Sequence, residues 1–217
     1  MAWRLLMRRC PSRSLTLVGD VAQTSDRAGA GSWQQVLEPY VGTRFRLEEL
    51  TVNYRNPAEL MAVAAGVLAA LVPPVRPPRS VRETGEFPWH APYEPGVLPD
   101  VVKAEREAVG DGRVAVIVPA ARAAEVREAL GLTELGPADG LDLTEPVVVL
   151  TVKQAKGLEF DSVLVVDPAG ILAGSPRGTN DLYVALTRST RRLGVLPDGP
   201  LPAMLFALDG QPVAAAS

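Results

Sequence analysis

The sequence predicts an α/β fold, a mainly parallel sheet flanked by helices, and three observations carry that reading. Residues 114–118 (VAVIV), 147–152 (VVVLTV) and 162–166 (SVLVV) are short runs rich in β-branched side chains with no polar alternation, which suits strands buried on both faces. Segments with helical periodicity stand between such runs, so strands and helices alternate along the chain. The last two runs flank a polar loop, residues 153–161, which carries Lys156, Gly157 and Glu159. Ligands of open α/β sheets collect at loops beside strand ends, and a glycine there adopts backbone conformations closed to other residues and lets a ligand come near.

With 217 residues, 47% of them hydrophobic, the chain has room for one or two units with a real core. A net charge of −3 gives no global basic field to attract nucleic acid. The 22 cations are 19 arginines and 3 lysines, a bias that codon usage explains better than dedicated phosphate recognition, given the high Ala, Pro and Gly. The single cysteine, Cys10, excludes an internal disulfide and fits a reducing compartment, so a cytoplasmic location is expected. No apolar run is long enough to span a bilayer, and residues 1–9 carry arginines without an apolar core, so neither a membrane partner nor a signal peptide is expected. His90, the only histidine, is assigned no role, and no metal-ligating set is picked out.

Taken in order, residues 2–9 read as the end of an amphipathic helix, stopped by Cys10-Pro11. Residues 14–18 (SLTLV) read as a strand running into Gly19-Asp20, a sharp turn that presents the Gln23 amide beyond the strand end. A loop over residues 24–32 ends on Ser32, an N-cap for a helix from Trp33 to about Tyr40. Residues 44–50 read as a strand feeding TVNYRN, after which Asn56 caps a helix with Pro57 at its first position. That helix, residues 57–71, places Leu60, Val63, Ala64, Val67, Leu68 and Leu71 on one face. Residues 72–99 are dense in proline and read as a linker or extended wrap, with no regular structure assigned. A helix over 100–109, the strand 114–118, a helix over 121–130 and a breaker-rich loop over 131–146 follow. Beyond the two central strands come a loop over 170–178, a helix capped by Thr179 or Asn180, a strand over 193–196, a helix over 201–208 and a disordered tail over 211–217.

Four short motifs stand out along this order: GDVAQ at 19–23, NYRNPAE at 53–59, AKGLEFD at 155–161 and LYVALTR at 182–188. In kind and sequence they resemble motifs of superfamily 1 helicases of the UvrD/Rep type, over nearly the whole chain apart from the proline-rich stretch and the tail. The resemblance implies a P-loop NTPase-like (RecA-like) motor fold. Residues 1–50 would be the C-terminal end of a first, incomplete motor domain and 51–210 most of a second, UvrD-like C-terminal one. It implies ATP as cofactor. Arg55 would reach the γ-phosphate across an interdomain cleft, Arg188 would be an arginine finger, and Gln23 would sense the terminal phosphate. Glu159 would contact the nucleotide sugar, with Gly157 allowing close approach and Tyr183 among the nucleotide contacts; Lys156 would meet phosphate or brace the loop. The chemistry agrees, since phosphoryl transfer needs charge placed where the transferring group spreads its own, and a guanidinium stays charged and forks onto two oxygens. The plainer readings are a surface arginine at Arg55 and a simple turn at Gly19-Asp20.

No G-x-x-x-x-G-K-[ST] and no D-E-x-Q occurs in the sequence. The resemblance therefore implies that an N-terminal motor half supplies them, holds Mg²⁺ and is this chain's partner, and that the chain alone does not hydrolyse ATP. Three departures bear on nucleic acid. TSDRAGA has no aromatic where such helicases stack rings on bases, contacts worth ~1–3 kcal/mol per base. Lys153-Gln154 stand where a histidine is expected, and residues 57–145 leave no room for a large insertion. These traits look like the HelD-type branch, helicase-like ATPases that bind RNA polymerase and free it from stalled complexes. RNA polymerase is thus the expected partner. A UvrD-type DNA helicase or translocase, with DNA as partner, is the alternative, and a non-catalytic partner-binding remnant the third.

Overall fold

The computed structural model describes residues 2–10, 12, 14–23, 32–132 and 145–208. Helices α1 (Ala2–Arg9) and α2 (Trp33–Val41) come first, and the Ser32 side chain caps α2 by accepting from the Gln35 N–H. A two-residue strand, β1 (Val52–Asn53), leads into α3 (Ala58–Ala69), and the proline-dense stretch then contributes β2 (Arg79–Ser80) and β3 (Trp89–His90). Next come α4 (Leu98–Val109), β4 (Val114–Val118), α5 (Ala123–Ala129), β5 (Val147–Thr151) and α6 (Val152–Ala155). The described chain closes with β6 (Phe160–Val166), α7 (Pro168–Ala173), α8 (Gly178–Leu186), β7 (Ser189–Leu196) and a 3₁₀ segment, Ala203–Leu208. Strands β1 and β2 pair as a separate parallel ribbon; the other five form one sheet, ordered β3-β7-β6-β4-β5 and parallel throughout. The expected α/β architecture is therefore present.

Side-chain alternation on these strands supplies two cores. Ala115, Ile117, Val163, Val165, Leu193 and Val195 pack on one face with α3 and α8. Val114, Val116, Val118, Leu164, Val166 and Leu196 pack on the other with α4 and α5. Because both faces are covered, residues 114–118, 147–150, 163–166 and 193–196 of β4, β5, β6 and β7 are apolar without alternation, and the polar residues of β5, β6 and β7 stand at the strand ends.

Residues 72–99 are a wrap held to the domain rather than a free spacer. Strand β3 joins the sheet edge with Trp89 opposite Gly194. A Cβ at position 194 would stand 2.5 Å from the indole Cζ2 and 2.6 Å from Leu164 Cδ2, so glycine makes room for the ring. Trp89 Nε1 donates to Glu105 Oε1 at 3.2 Å, and the buried Glu105 also accepts from Ser162 Oγ at 2.7 Å and from Arg192 Nε at 2.8 Å. On the wrap, Glu86 receives Arg191 and Arg192, each at 2.6 Å. The hydrogen bonds and charges of Glu105 and Glu86 outweigh burial and hold the Arg192 guanidinium well above its usual value. The prolines fall outside the paired residues, and an edge strand such as β3 tolerates them as neighbours.

Several local expectations are corrected. Residues 14–18 and 44–50 form no strand: no neighbouring strand pairs with either among the described residues, and Val18, Leu47 and Leu50 are exposed. Asn56 does not cap α3; Pro57 takes that place, and the Asn56 side chain turns inward. Residues 152–155, expected as the end of a strand at Val152 and loop from 153, make a helical turn because Thr151 and Gln154 form a capping box. Part of the 170–178 loop is α7, whose N-cap Asp167 accepts from the Gly170 N–H at 2.8 Å. Neither Thr179 nor Asn180 caps α8, which begins after Arg177. The expected helix over 201–208 is 3₁₀. The loop at 24–31, most of the 131–146 loop and the tail at 211–217 lie outside the described residues. No helix among those described is long and apolar enough to cross a membrane.

Candidate functional site

Arg188 lies between the end of α8 and the start of β7, where the α8 C-cap, Thr187, turns the chain into the sheet. Its backbone carbonyl accepts from the Phe160 N–H at 3.0 Å, which fixes it beside the start of β6. The side chain is 2% exposed. Its guanidinium donates to Val184 O at 3.0 Å, Leu158 O at 3.3 Å, Gln23 Oε1 at 3.2 Å and Thr187 Oγ1 at 3.4 Å. The Gln23 amide is in turn held by Asp20, whose carboxylate accepts from Gln23 Nε2 at 2.9 Å and from the Ala22 N–H at 2.8 Å. Asn180, on α8, donates to Ala22 O at 2.8 Å and docks this short 3₁₀ turn, Val21–Gln23, on the helix.

Arg55 projects from the turn between β1 and α3. Its backbone N–H donates to Asn53 Oδ1 at 2.9 Å, a local side-chain-to-backbone bond that shapes the turn. The guanidinium meets Glu159 Oε1 at 2.7 Å, across 104 residues of sequence. Arg55 Nε is buried with no hydrogen-bond partner among the described residues.

The electrostatics tie these groups into one cluster. Burial lowers the Arg188 guanidinium from its usual value, and the nearby Arg55 charge lowers it further, against the opposing pull of Glu159, Tyr183 and Asp20. The buried Tyr183 phenol is pushed up to about 12, first by burial and then by Asp20, with Arg55 and Arg188 pulling the other way. Of the residues singled out in the sequence, Gln23, Arg55, Glu159, Tyr183 and Arg188 thus come together. Gly157 lies on the loop beside them with φ of +84° and open space where a Cβ would stand; a side chain there would be strained. Lys156 is exposed and makes no hydrogen bond or ion pair with the described residues.

Sequence reasoning missed Asp20, Asn53 and Asn56. Asp20 and Asn53 lie inside the motifs, where the sequence gives Asp20 only a turn and Asn53 no role of its own. The sequence predicts a helix cap at Asn56, yet its side chain is buried against the Arg188 turn, with Nδ2 donating to Thr187 O at 3.1 Å and Ser189 O at 2.7 Å. No periodicity in the sequence signals a contact between residues so far apart.

Residues 146–196 match the UvrD-like helicase C-terminal domain. The matched segment runs from the start of β5 through β7 and includes Lys156, Gly157, Glu159, Tyr183 and Arg188; Gln23 and Arg55 fall outside it. Among solved structures, the fold is similar to the C-terminal domain of a possible DNA helicase from Lactobacillus plantarum WCFS1. That likeness has a TM-score of 0.52 at 20% identity and covers 73% of this chain and 95% of the other. No curated protein matches the chain.

Proposed function

We propose that this chain is the C-terminal motor portion of a superfamily 1 helicase-like ATPase. In this reading Arg55, Arg188 and Gln23 face the terminal phosphates of ATP, while the P-loop contacts and the Mg²⁺ are held by an N-terminal motor half. The observation that carries the reading is the convergence of two arginines, remote in sequence, on one cluster at the starts of β6 and β7.

The residues present fit a polyphosphate. Burial and mutual repulsion both work against the Arg188 charge, and Arg55 Nε is buried without a hydrogen-bond partner among the described residues. An anion between the two guanidiniums would relieve both conditions. When bound, ATP would supply the phosphoanhydride to be cleaved. This chain's part is to place positive charge where negative charge spreads, an arginine contribution of ~10³–10⁵ in rate in related chemistry. Glu159 would turn to the nucleotide sugar once it releases Arg55.

The polymerase-recycling role is supported by the sequence departures, above all the missing aromatic after Gln23. The similarity to a possible DNA helicase favours a second reading, a DNA helicase or translocase portion. Calorimetric titration with ATP and with tripolyphosphate tests the site: weakened binding in both Arg55→Ala and Arg188→Ala is expected, and wild-type silence towards both anions refutes it. Capture by purified RNA polymerase supports the first role. Single-strand binding that weakens linearly in log salt supports the second.

A further inference from the structure

We propose that Asn56 is the positioning residue that sets the spacing between Arg55 and Arg188. The proposal rests on the reading that both arginines face one polyphosphate. Asn56 is 3% exposed, and its amide is used on every side. Nδ2 donates to Thr187 O at 3.1 Å and to Ser189 O at 2.7 Å, the two carbonyls that flank Arg188. Oδ1 accepts from Asn53 Nδ2 at 3.2 Å, while Asn53 Oδ1 receives the N–H of Arg55 at 2.9 Å and of Asn56 itself at 3.1 Å. The Asn56 carbonyl accepts from Ser80 Oγ at 3.0 Å.

This one side chain therefore joins the turn that presents Arg55 to the turn that presents Arg188. Both donor hydrogens are needed, because the two carbonyls lie on either side of the residue being held. A hydroxyl has one hydrogen to give, so serine can hold only one carbonyl. Two cations brought to a fixed separation bind one anion as a unit, whereas the same cations on turns free to slide bind it separately.

The test is a double-mutant cycle on the full chain, with inorganic tripolyphosphate as probe. In the wild type, Arg55→Ala and Arg188→Ala are each expected to weaken binding about tenfold or more, and the double variant by much less than the product. In an Asn56→Ser background, affinity is expected to fall about five- to tenfold and the two arginine losses to multiply independently. Ser80→Ala serves as control: it removes a hydrogen bond to the Asn56 carbonyl but leaves the amide in place, so it is expected to reduce stability without altering the coupling. A measurement on the wild-type fold stands beside the variants. Tripolyphosphate is expected to shift the Asn56 side-chain amide and Arg188 Nε resonances with one dissociation constant. Unchanged arginine coupling in Asn56→Ser, or an unmoved Asn56 amide while Arg188 shifts, overturns the positioning role and leaves the phosphate site standing. Absence of any tripolyphosphate binding by the wild type overturns both.

Discussion

Arg55 Nη1 and Glu159 Oε1 stand 2.7 Å apart, an ion pair that joins the turn before α3 to the loop before β6. The Arg55 and Glu159 side chains are 32% and 48% exposed, so water and salt screen the pair, and a multivalent anion can displace the carboxylate. Glu159 thus acts as the counter-ion of Arg55.

Glu159→Gln is therefore expected to strengthen tripolyphosphate binding by about three- to tenfold at low salt, because Arg55 no longer has to leave a carboxylate. On the proposed contact of Glu159 with the nucleotide sugar, ATP should gain less. Calorimetry with both ligands checks the difference. Equal gains would place Glu159 away from the sugar, and no gain with tripolyphosphate would show that Arg55 does not face the anion.

Glu105 predicts a stability effect away from the site. It is buried and satisfies Trp89 Nε1, Ser162 Oγ and Arg192 together. Glu105→Ala leaves four donors on three residues unanswered, two of them on the charged Arg192, and the expected cost is about 2–4 kcal/mol in urea unfolding. Arg192 keeps Glu86, which limits the loss. Trp89 fluorescence should change in the folded variant, because the indole loses the acceptor that holds it at the sheet edge.

Two further carboxylates hold the proline-rich wrap, and both make it sensitive to acid. For Glu86, burial raises the carboxyl, but hydrogen bonds and charge from Arg191 and Arg192 prevail and hold it below its ordinary value of 4.5. For Glu59, burial likewise raises it, and backbone N–H bonds, including those of Gly85 and Thr84, bring it below 4.5. A carboxyl that is more acidic in the folded state binds fewer protons there than in the unfolded chain. Its stabilisation is complete above the ordinary value and fades as pH falls through the lowered one. Trp89 fluorescence should accordingly change on acidification before far-ultraviolet circular dichroism does. Glu86→Gln should lower stability at neutral pH and flatten that acid limb.

Three strands of the main sheet were legible because burial on both faces writes itself into the sequence: 114–118 matches β4 residue for residue, and β5 and β6 differ from expectation only at their ends, whereas only the apolar half of β7, residues 193–196, was expected. The strands expected at 14–18 and 44–50 failed because local pattern shows β-propensity but not whether a neighbour exists to pair with. The proline-rich stretch concealed β2 and β3 because two-residue strands carry no periodicity; what places them is Ser80 bonded to Asn56 O and Trp89 bonded to Glu105. At the site, Arg55, Arg188 and Gln23 could be singled out because their motifs are local. Asn56 could not, because the groups its amide holds at the Arg188 turn are backbone carbonyls over 130 residues away.

Arg188→Lys tests whether charge alone suffices at the centre of the cluster. The guanidinium reaches Val184 O, Leu158 O, Thr187 Oγ1 and Gln23 Oε1 from a rigid fork. An ammonium keeps the charge but donates from a single point, so it cannot span acceptors on α8, the loop before β6 and the Val21–Gln23 turn at once. At least one buried carbonyl then goes unanswered, at an expected cost of about 1–3 kcal/mol in urea unfolding. The loss should be local as well as global. Gln23 is held by Arg188 and Asp20, so hydrogen exchange at the Ala22 and Gln23 amides should accelerate more than in the core strands. Uniform acceleration across the sheet would mean instead that Arg188 serves the fold as a whole and does not specifically hold Gln23 at the site.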